Sequence, residues 1–117
     1  MRVLVLDDDR AFLEMLSSAL VEEGHRVVAT TDGRTGLDLA HRSPPDVIVL
    51  DVLMPGMDGA TFADMYARQP GPHAPIVVVT GAPPPLTKRV EHAAAYLTKP
   101  FDLDELMGVL REVATAA

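Results

Sequence analysis

The feature that most constrains the fold is a regular alternation of two hydrophobic periodicities along 117 residues. Short apolar runs lie at residues 3–6, 47–50 and 76–79, and less regular strand-like runs lie at 25–30 and 94–98. Between them, apolar residues recur at spacings of three and four, which is typical of amphipathic helices. Strands that are apolar on both faces and alternate with helices predict a parallel sheet covered on both sides. The expected fold class is therefore α/β, a doubly wound five-stranded parallel sheet of (βα)5 order.

Breaker residues set the expected limits of the helices. Gly24 is expected to end the first helix, and Ser43-Pro44-Pro45 to end the second. Three prolines at 83–85 exclude a regular helix there, so the fourth helix, over 86–93, is expected to be short or irregular. Asp102 and Glu105 form a capping-box-like pair before the last helix. That helix is expected to bury Leu103, Leu106, Met107, Leu110 and Val113.

Composition excludes several function classes. The chain has no cysteine, so no disulfide or thiolate metal site can form. A net charge of −7 argues against direct binding of nucleic acid, which requires a basic surface. No apolar run is long enough for a signal peptide or a membrane span. We see no repeat or linker, so one domain over residues 1–117 and a cytoplasmic location are expected.

Polar residues follow four of the five predicted strands. Residues 7–9 are three aspartates after the first strand, Asp51 follows the third, Thr80 the fourth and Lys99 the fifth. Ligands of open parallel sheets bind beyond the carboxyl ends of the strands, so these side chains are expected to converge. Clustered carboxylates favour a hard cation, Mg²⁺ or alternatively Mn²⁺. A further carboxylate can attack phosphorus, while a hydroxyl and an ammonium bind phosphoryl oxygens.

The motifs at these positions resemble those of response regulator receiver domains, the phosphoacceptors of two-component signalling. VLVLDDD resembles the family's first strand and acidic pair, and DVIVLDVLMPGMDG resembles its phosphorylation segment. VVVTGA resembles the strand that ends in Thr or Ser, and YLTKPF resembles the Lys-Pro motif. The resemblance covers essentially the whole chain and implies the flavodoxin-like receiver fold.

The resemblance also implies residue roles. Asp51 would accept the phosphoryl group, and Thr80 and Lys99 would contact it. Asp7, Asp8, Asp51 and the backbone carbonyl of Leu53 would hold Mg²⁺. Thr80 and Tyr96 would form the conformational switch, and the Lys99-Pro100 peptide bond would be cis.

Other residues near these motifs have simpler interpretations. Asp9 is expected to be a helix N-cap rather than a metal ligand, and Asp58 to serve turn and cap chemistry. Tyr96 could be only a half-buried strand residue. The four histidines, His25, His41, His73 and His92, show no ligand spacing, so a phosphodonor histidine must come from a partner.

The implied partners are a histidine kinase or histidine phosphotransfer protein and a downstream protein or output domain. The resemblance also allows a phosphorylation-dependent homodimer. It implies a phosphoacceptor that assists its own phosphorylation and hydrolysis, not a turnover enzyme. The segment from Thr80 to Lys99 is shorter than is usual in the family and carries the prolines, which affects the usual output surface.

Two other function classes are open at this point. One is a receiver-fold docking or dimerisation module that works without phosphorylation. The other is a phosphatase with an Asp nucleophile that resembles the haloacid dehalogenase family, whose motif is DxDx(T/V). Here Asp7 and Asp9 give the DxD, but Ala11 stands where Thr or Val is expected. Turnover of a small phosphate ester would support the phosphatase.

Overall fold

The computed structural model describes residues 1–81, 90 and 92–115. These residues form five strands and four helices. The strands are β1 (Arg2–Leu6), β2 (Arg26–Thr30), β3 (Val47–Leu50), β4 (Ile76–Thr80) and β5 (Ala95–Thr98). The helices are α1 (Arg10–Glu22), α2 (Gly33–Arg42), α3 (Gly59–Ala67) and α4 (Leu103–Thr115).

The five strands form one parallel sheet in the order β2-β1-β3-β4-β5. The register aligns Leu6 of β1 with Thr30 of β2 and with Leu50 of β3. The chain runs from β1 outward to β2 on one side and then returns to β3 on the other. The strand order thus reverses between β1 and β3, and open sheets bind ligands beyond the carboxyl ends of the strands at such a point. The predicted doubly wound α/β fold is confirmed.

Alternate strand residues pack against opposite helix layers, because successive side chains of a strand point to opposite faces. Val3 and Val5 lie in a core cluster with Leu16 of α1 and Leu110 of α4. The neighbouring strand residues pack on the other face, in a cluster with α2 and α3 that includes Leu4, Leu6, Ile48, Leu50, Leu37 and Phe62. Burying one such side chain contributes about 1.5–3 kcal/mol, so both helix layers stabilise the sheet.

The helix limits follow local capping chemistry. Asp32 is the N-cap of α2, since its carboxylate accepts from the N–H groups of Arg34 and Thr35 at 3.3 Å each. Gly33 is therefore the first helical residue. In α4, Leu106, Met107 and Leu110 are buried as predicted, whereas Leu103 and Val113 pack only partly buried.

The prediction of a short helix over 86–93 falls largely outside the described residues. Across residues 1–81, 90 and 92–115, no helix has the length and apolar character needed to cross a bilayer.

Candidate functional site

Two buried aspartates lie just beyond the carboxyl ends of β1 and β3. Asp7 follows β1 and is fully buried, and Asp51 follows β3 with 5% of its surface exposed. The Asp51 N–H donates to the Leu6 carbonyl at 2.9 Å, which extends the β1–β3 pairing to the site itself. Asp8 is exposed beside them. One carboxylate oxygen from each of Asp7, Asp8 and Asp51 lies within 4.8 Å of the others, so the three could hold a metal ion.

Lys99 places a positive charge among these carboxylates. Its Nζ lies 2.6 Å from Asp7 Oδ2 and 3.8 Å from Asp51 Oδ2. Its backbone N–H donates to the Thr80 carbonyl at 2.8 Å. This hydrogen bond between the ends of β4 and β5 fixes the position of the lysine backbone. The Lys99-Pro100 peptide bond is cis, as the resemblance implies. An ammonium here reduces the repulsion between the two buried aspartates. Without a nearby positive charge, burying two carboxylates side by side would cost much free energy.

Backbone donors orient both buried carboxylates. Asp7 Oδ1 accepts from the Asp9 N–H at 2.9 Å, and Asp51 Oδ1 accepts from the Leu53 N–H at 3.2 Å. Each carboxylate thus keeps its other oxygen, Oδ2, toward Lys99. The Leu53 side chain is 53% exposed, so the residue meets the site through its backbone.

Asp9 and Asp58 serve helix termini, as predicted. The Asp9 carboxylate accepts from the Phe12 N–H at 3.2 Å and caps α1. The Asp58 carboxylate accepts from the Thr61 N–H at 2.8 Å and caps α3. Asp9 is not a member of the carboxylate group described above. The DxD interpretation would need the Asp9 carboxylate beside Asp7, whereas here that carboxylate caps α1.

Gly59 lets the start of α3 pack against the backbone of Asp51, a contact that sequence reasoning missed. The Gly59 N–H donates to the Val52 carbonyl at 2.9 Å. A Cβ added at Gly59 would lie 2.8 Å from the Val52 Cα and 2.9 Å from the Asp51 carbonyl oxygen. Both neighbours are backbone atoms next to the acidic site, so neither can move without shifting Asp51.

Replacing Gly59 with Ala is therefore expected to lower the free energy of unfolding by about 1–3 kcal/mol. Gly108, inside α4, is the matched control, because a Cβ there meets no atom within 4 Å. The Gly108→Ala variant should gain about 0.5–1 kcal/mol from helix propensity alone. Urea unfolding of both variants measures the contrast, and equal effects of the two substitutions would contradict the close approach at Gly59.

The electrostatics of the site raise the pKa of Asp51 from its ordinary value of 3.8 to about 6. Burial is the largest cause, and the Asp7 carboxylate is the second. The Lys99 ammonium and the Leu53 N–H oppose this shift but do not cancel it. In the metal-free protein, deprotonated Asp51 is therefore a destabilised anion that a bound cation would stabilise.

This shift predicts a pH-dependent stability. A folded-state pKa above the unfolded one means that stability falls as the pH rises between about 4 and about 6, by up to about 3 kcal/mol. In EDTA, the Asp51→Asn variant should exceed wild type by about 2 kcal/mol near pH 7.5 and lose that advantage near pH 4. Urea unfolding across this range measures the difference.

The exposed Asp64 of α3 provides the control for that experiment. An Asp64→Asn variant should show no such pH-dependent gain. A constant difference between Asp51→Asn and wild type at all pH values would contradict the raised pKa.

The two predicted switch residues lie near different neighbours. Thr80 is buried at the carboxyl end of β4, where its carbonyl accepts from Lys99. Tyr96 is half-buried on β5, opposite Val78. Its hydroxyl accepts from the Val90 N–H at 2.7 Å and donates to the Val90 carbonyl at 3.0 Å. The structure thus brings Asp7, Asp8, Asp51 and Lys99 together and leaves the Tyr96 hydroxyl engaged with Val90.

Phe12 is a contact of the site that the helical pattern did not reveal. In the sequence it is one member of the apolar stripe of α1. In the structure the Lys99 Nζ lies over its ring, 4.2 Å from the centroid. Sequence spacing gives no signal for this contact, since it depends on how the first turn of α1 meets the end of β5.

Comparison with known proteins identifies the family of this chain. The sequence profile described as the response regulator receiver domain matches residues 3–111. Response regulator MprA of Mycolicibacterium vanbaalenii is 42% identical over 114 residues, covering 94% of this chain and 48% of that protein. Transcriptional regulatory protein TcrA of Mycobacterium tuberculosis is 38% identical over 117 residues, covering 97% of this chain and 46% of that protein. The chain thus spans about half the length of the curated relatives it matches.

Solved structures of receiver domains have the same fold as this chain. A CheY-like receiver domain from Methylobacillus flagellatus has a TM-score of 0.86 at 23% identity, covering 97% of this chain and 98% of that one, which shows the shared fold. Chemotaxis protein CheY4 of Vibrio cholerae has a TM-score of 0.79 at 32% identity, covering 96% of this chain and 97% of that one. The chain belongs to the family of response regulator receiver domains of two-component signalling.

Proposed function

We propose that Asp51 accepts a phosphoryl group from the phosphohistidine of a sensor kinase or histidine phosphotransfer protein, in a reaction that requires Mg²⁺. The observation that carries the proposal is the position of Asp51 among the other site residues at the carboxyl edge of the sheet. Its carboxylate lies with those of Asp7 and Asp8 and 3.8 Å from the Lys99 ammonium. We propose that residues 1–117 act together as one receiver domain.

The donor set fits Mg²⁺. Every candidate ligand atom is oxygen: carboxylates of Asp7, Asp8 and Asp51, and the backbone carbonyl proposed at Leu53. Hard divalent cations prefer such ligands, and Mg²⁺ commonly uses one or two carboxylates together with phosphate oxygens. Mn²⁺ fits the same set. The raised pKa of Asp51 supports the assignment, because a bound cation would favour the charged carboxylate. The cation would neutralise charge on the carboxylates and on the incoming phosphoryl group.

The chain's own residues supply the remaining chemistry. An Asp51 carboxylate oxygen attacks phosphorus, so that an O–P bond forms while the P–N bond to the donor imidazole breaks. The imidazole leaves with the electron pair of that bond. The Lys99 ammonium binds a phosphoryl oxygen, and the Thr80 hydroxyl donates to another. The same groups assist slow hydrolysis of the acyl phosphate, so Asp51 is an acceptor that is regenerated and external substrates are not turned over.

Phosphorylation then alters a protein-binding surface. The phosphoryl group adds negative charge and strong acceptors beside Thr80 at the end of β4. Movement of Thr80 toward it would free space for Tyr96, whose hydroxyl is held by Val90 in the present structure. The two residues would thereby shift an equilibrium between two conformations.

The proposed partners are the phosphodonor protein and a downstream protein or output domain. Homodimerisation on phosphorylation is a further proposed output. The net negative charge of these 117 residues argues against nucleic-acid binding by this domain itself. One relative bears the name transcriptional regulatory protein, and this chain covers 46% of it. A longer protein that contains this domain could therefore bind nucleic acid through another region.

Intact-mass measurement tests the proposal. The protein is incubated with acetyl phosphate or with phosphoramidate, whose P–N bond resembles that of phosphohistidine. The expected result is one phosphoryl adduct in Mg²⁺ and none in EDTA. If a folded protein that binds Mg²⁺ forms no adduct with either small donor, the docking module that works without phosphorylation gains support. If a phosphohistidine donor protein also gives no adduct, the proposal is refuted.

A further inference from the structure

Two carboxylates and one aromatic ring lie near the Lys99 ammonium in the described part of the chain. Asp7 Oδ2 lies at 2.6 Å, Asp51 Oδ2 at 3.8 Å, and the centroid of the Phe12 ring at 4.2 Å. The ring face carries negative charge density, so it attracts the ammonium in addition to covering it. The lysine side chain keeps 25% of its surface exposed, which leaves it a route toward solvent.

We propose that Phe12 is a positioning residue that holds the Lys99 ammonium beside Asp51 through a cation–π contact. This inference deepens the proposed phosphoryl transfer and rests on it for its functional consequence. Phe12 itself touches no reacting atom in the proposed reaction. It acts by restricting where the ammonium can be when a phosphoryl group arrives.

One backbone contact and one ring contact hold Phe12 in place. Its backbone N–H donates to the Asp9 N-cap at 3.2 Å, which fixes the first turn of α1. Its ring packs edge-to-face against Phe101, with centroids 6.0 Å apart and planes at 87°. Phe101 lies two residues after Lys99, so the aromatic pair connects α1 to the segment that carries the lysine. Both rings also pack against the core cluster on the α1 and α4 face.

The contact matters most when a divalent cation shares the carboxylates. In the present structure the shortest contact of the ammonium is with Asp7, which is also a proposed metal ligand. Two cations on one carboxylate repel each other, so metal binding would weaken the Lys99–Asp7 pair. The neutral ring face is unaffected by that competition. It would keep the ammonium near Asp51 instead of allowing it to extend into solvent.

Progressive fluorination of Phe12 tests the electrostatic part of the contact. Mono-, di- and trifluorinated phenylalanine keep the ring's shape but progressively weaken the negative charge of its face. In saturating Mg²⁺, the rate of phosphorylation by phosphoramidate should fall stepwise, by roughly threefold to tenfold at the trifluorinated ring. The same series at the fully buried Phe62 is the control and should leave the rate unchanged. Equal rates across the Phe12 series would overturn the proposal.

A second pair of variants separates positioning from packing. Phe12→Tyr keeps an aromatic face and should keep the wild-type rate. Phe12→Leu keeps an apolar side chain without that face, and should lose about as much rate as the trifluorinated ring. If Phe12→Leu reacts at the wild-type rate, the ring face has no positioning role.

Nuclear magnetic resonance gives a readout that does not depend on phosphorylation. In wild type, the ε-methylene protons of Lys99 should be shifted upfield by the Phe12 ring and should show nuclear Overhauser contacts to it. Both signatures should persist in saturating Mg²⁺. Loss of both on Mg²⁺ addition would overturn the proposal, whereas their persistence in a protein that forms no adduct would refute only the proposed function.

Discussion

The Asp51→Asn variant is expected to accept no phosphoryl group in Mg²⁺ with either small donor, whereas wild type forms one adduct. The amide has nearly the shape of the carboxylate but cannot supply the anionic oxygen that attacks phosphorus. The loss of phosphorylation should be complete because the Asp51 carboxylate is the single acceptor in the proposed reaction. Intact mass after incubation measures it, and urea unfolding confirms that the variant is folded.

Two further substitutions serve as controls for that result. Asp64→Asn removes an exposed carboxylate from α3, and Asp9→Asn keeps an N-cap side chain outside the carboxylate group. Both variants should form the adduct. An Asp51→Asn protein that is still labelled in Mg²⁺ would show that another residue is the acceptor.

Lys99→Met is expected to affect both stability and reactivity. Without a divalent cation, the buried Asp7 and the nearby Asp51 would lose the cation that lies 2.6 Å and 3.8 Å from them. Removing one partner of such a pair leaves uncompensated buried charge. Because the Lys99 side chain is 25% exposed, the free energy of unfolding should fall by about 2 kcal/mol, less than for a fully buried pair. Saturating Mg²⁺ should restore much of this loss. The phosphorylation rate in Mg²⁺ should still fall about a hundredfold or more, because a donor to the phosphoryl oxygens is gone.

If Mg²⁺ restores the stability of Lys99→Met, the loss came from uncompensated charge and not from lost packing. Arg68→Met removes an exposed cation at the end of α3 and is the control. It should change neither the stability nor the rate beyond the small effects typical of surface charges. If Lys99→Met were as stable as wild type in EDTA, the proposed balance of charges among Lys99, Asp7 and Asp51 would be wrong.

The sequence was sufficient to predict the fold because strand-length apolar runs alternate regularly with stretches of helical spacing along the chain. Runs such as residues 47–50 are apolar at every position, which is typical of a strand covered on both faces. The carboxyl ends of parallel strands share one edge, so the convergence of Asp7, Asp51 and Lys99 also follows from their positions. The caps at Asp9 and Asp58 were predictable because capping depends on residues three apart.

The remaining features depend on tertiary packing, for which local spacing gives no signal. Phe12 belongs to the apolar stripe of α1 by every sequence criterion, yet its ring faces Lys99, which is far away in sequence. The close approach of Gly59 to the Asp51 backbone depends on the angle at which α3 leaves its loop. The raised pKa of Asp51 follows first from burial and second from the nearby Asp7 carboxylate. The order of residues predicts that the two aspartates lie near each other, but it does not predict how deeply Asp51 is buried.

The most direct test of the central claim locates the phosphoryl group in the wild-type protein. After phosphorylation in Mg²⁺, sodium borohydride reduces an aspartyl phosphate to homoserine, and peptide mass spectrometry identifies the position. The account predicts homoserine at position 51 and at no other aspartate. Homoserine at position 7, 8 or 9, or an adduct on histidine, would contradict the assignment of Asp51 as the acceptor.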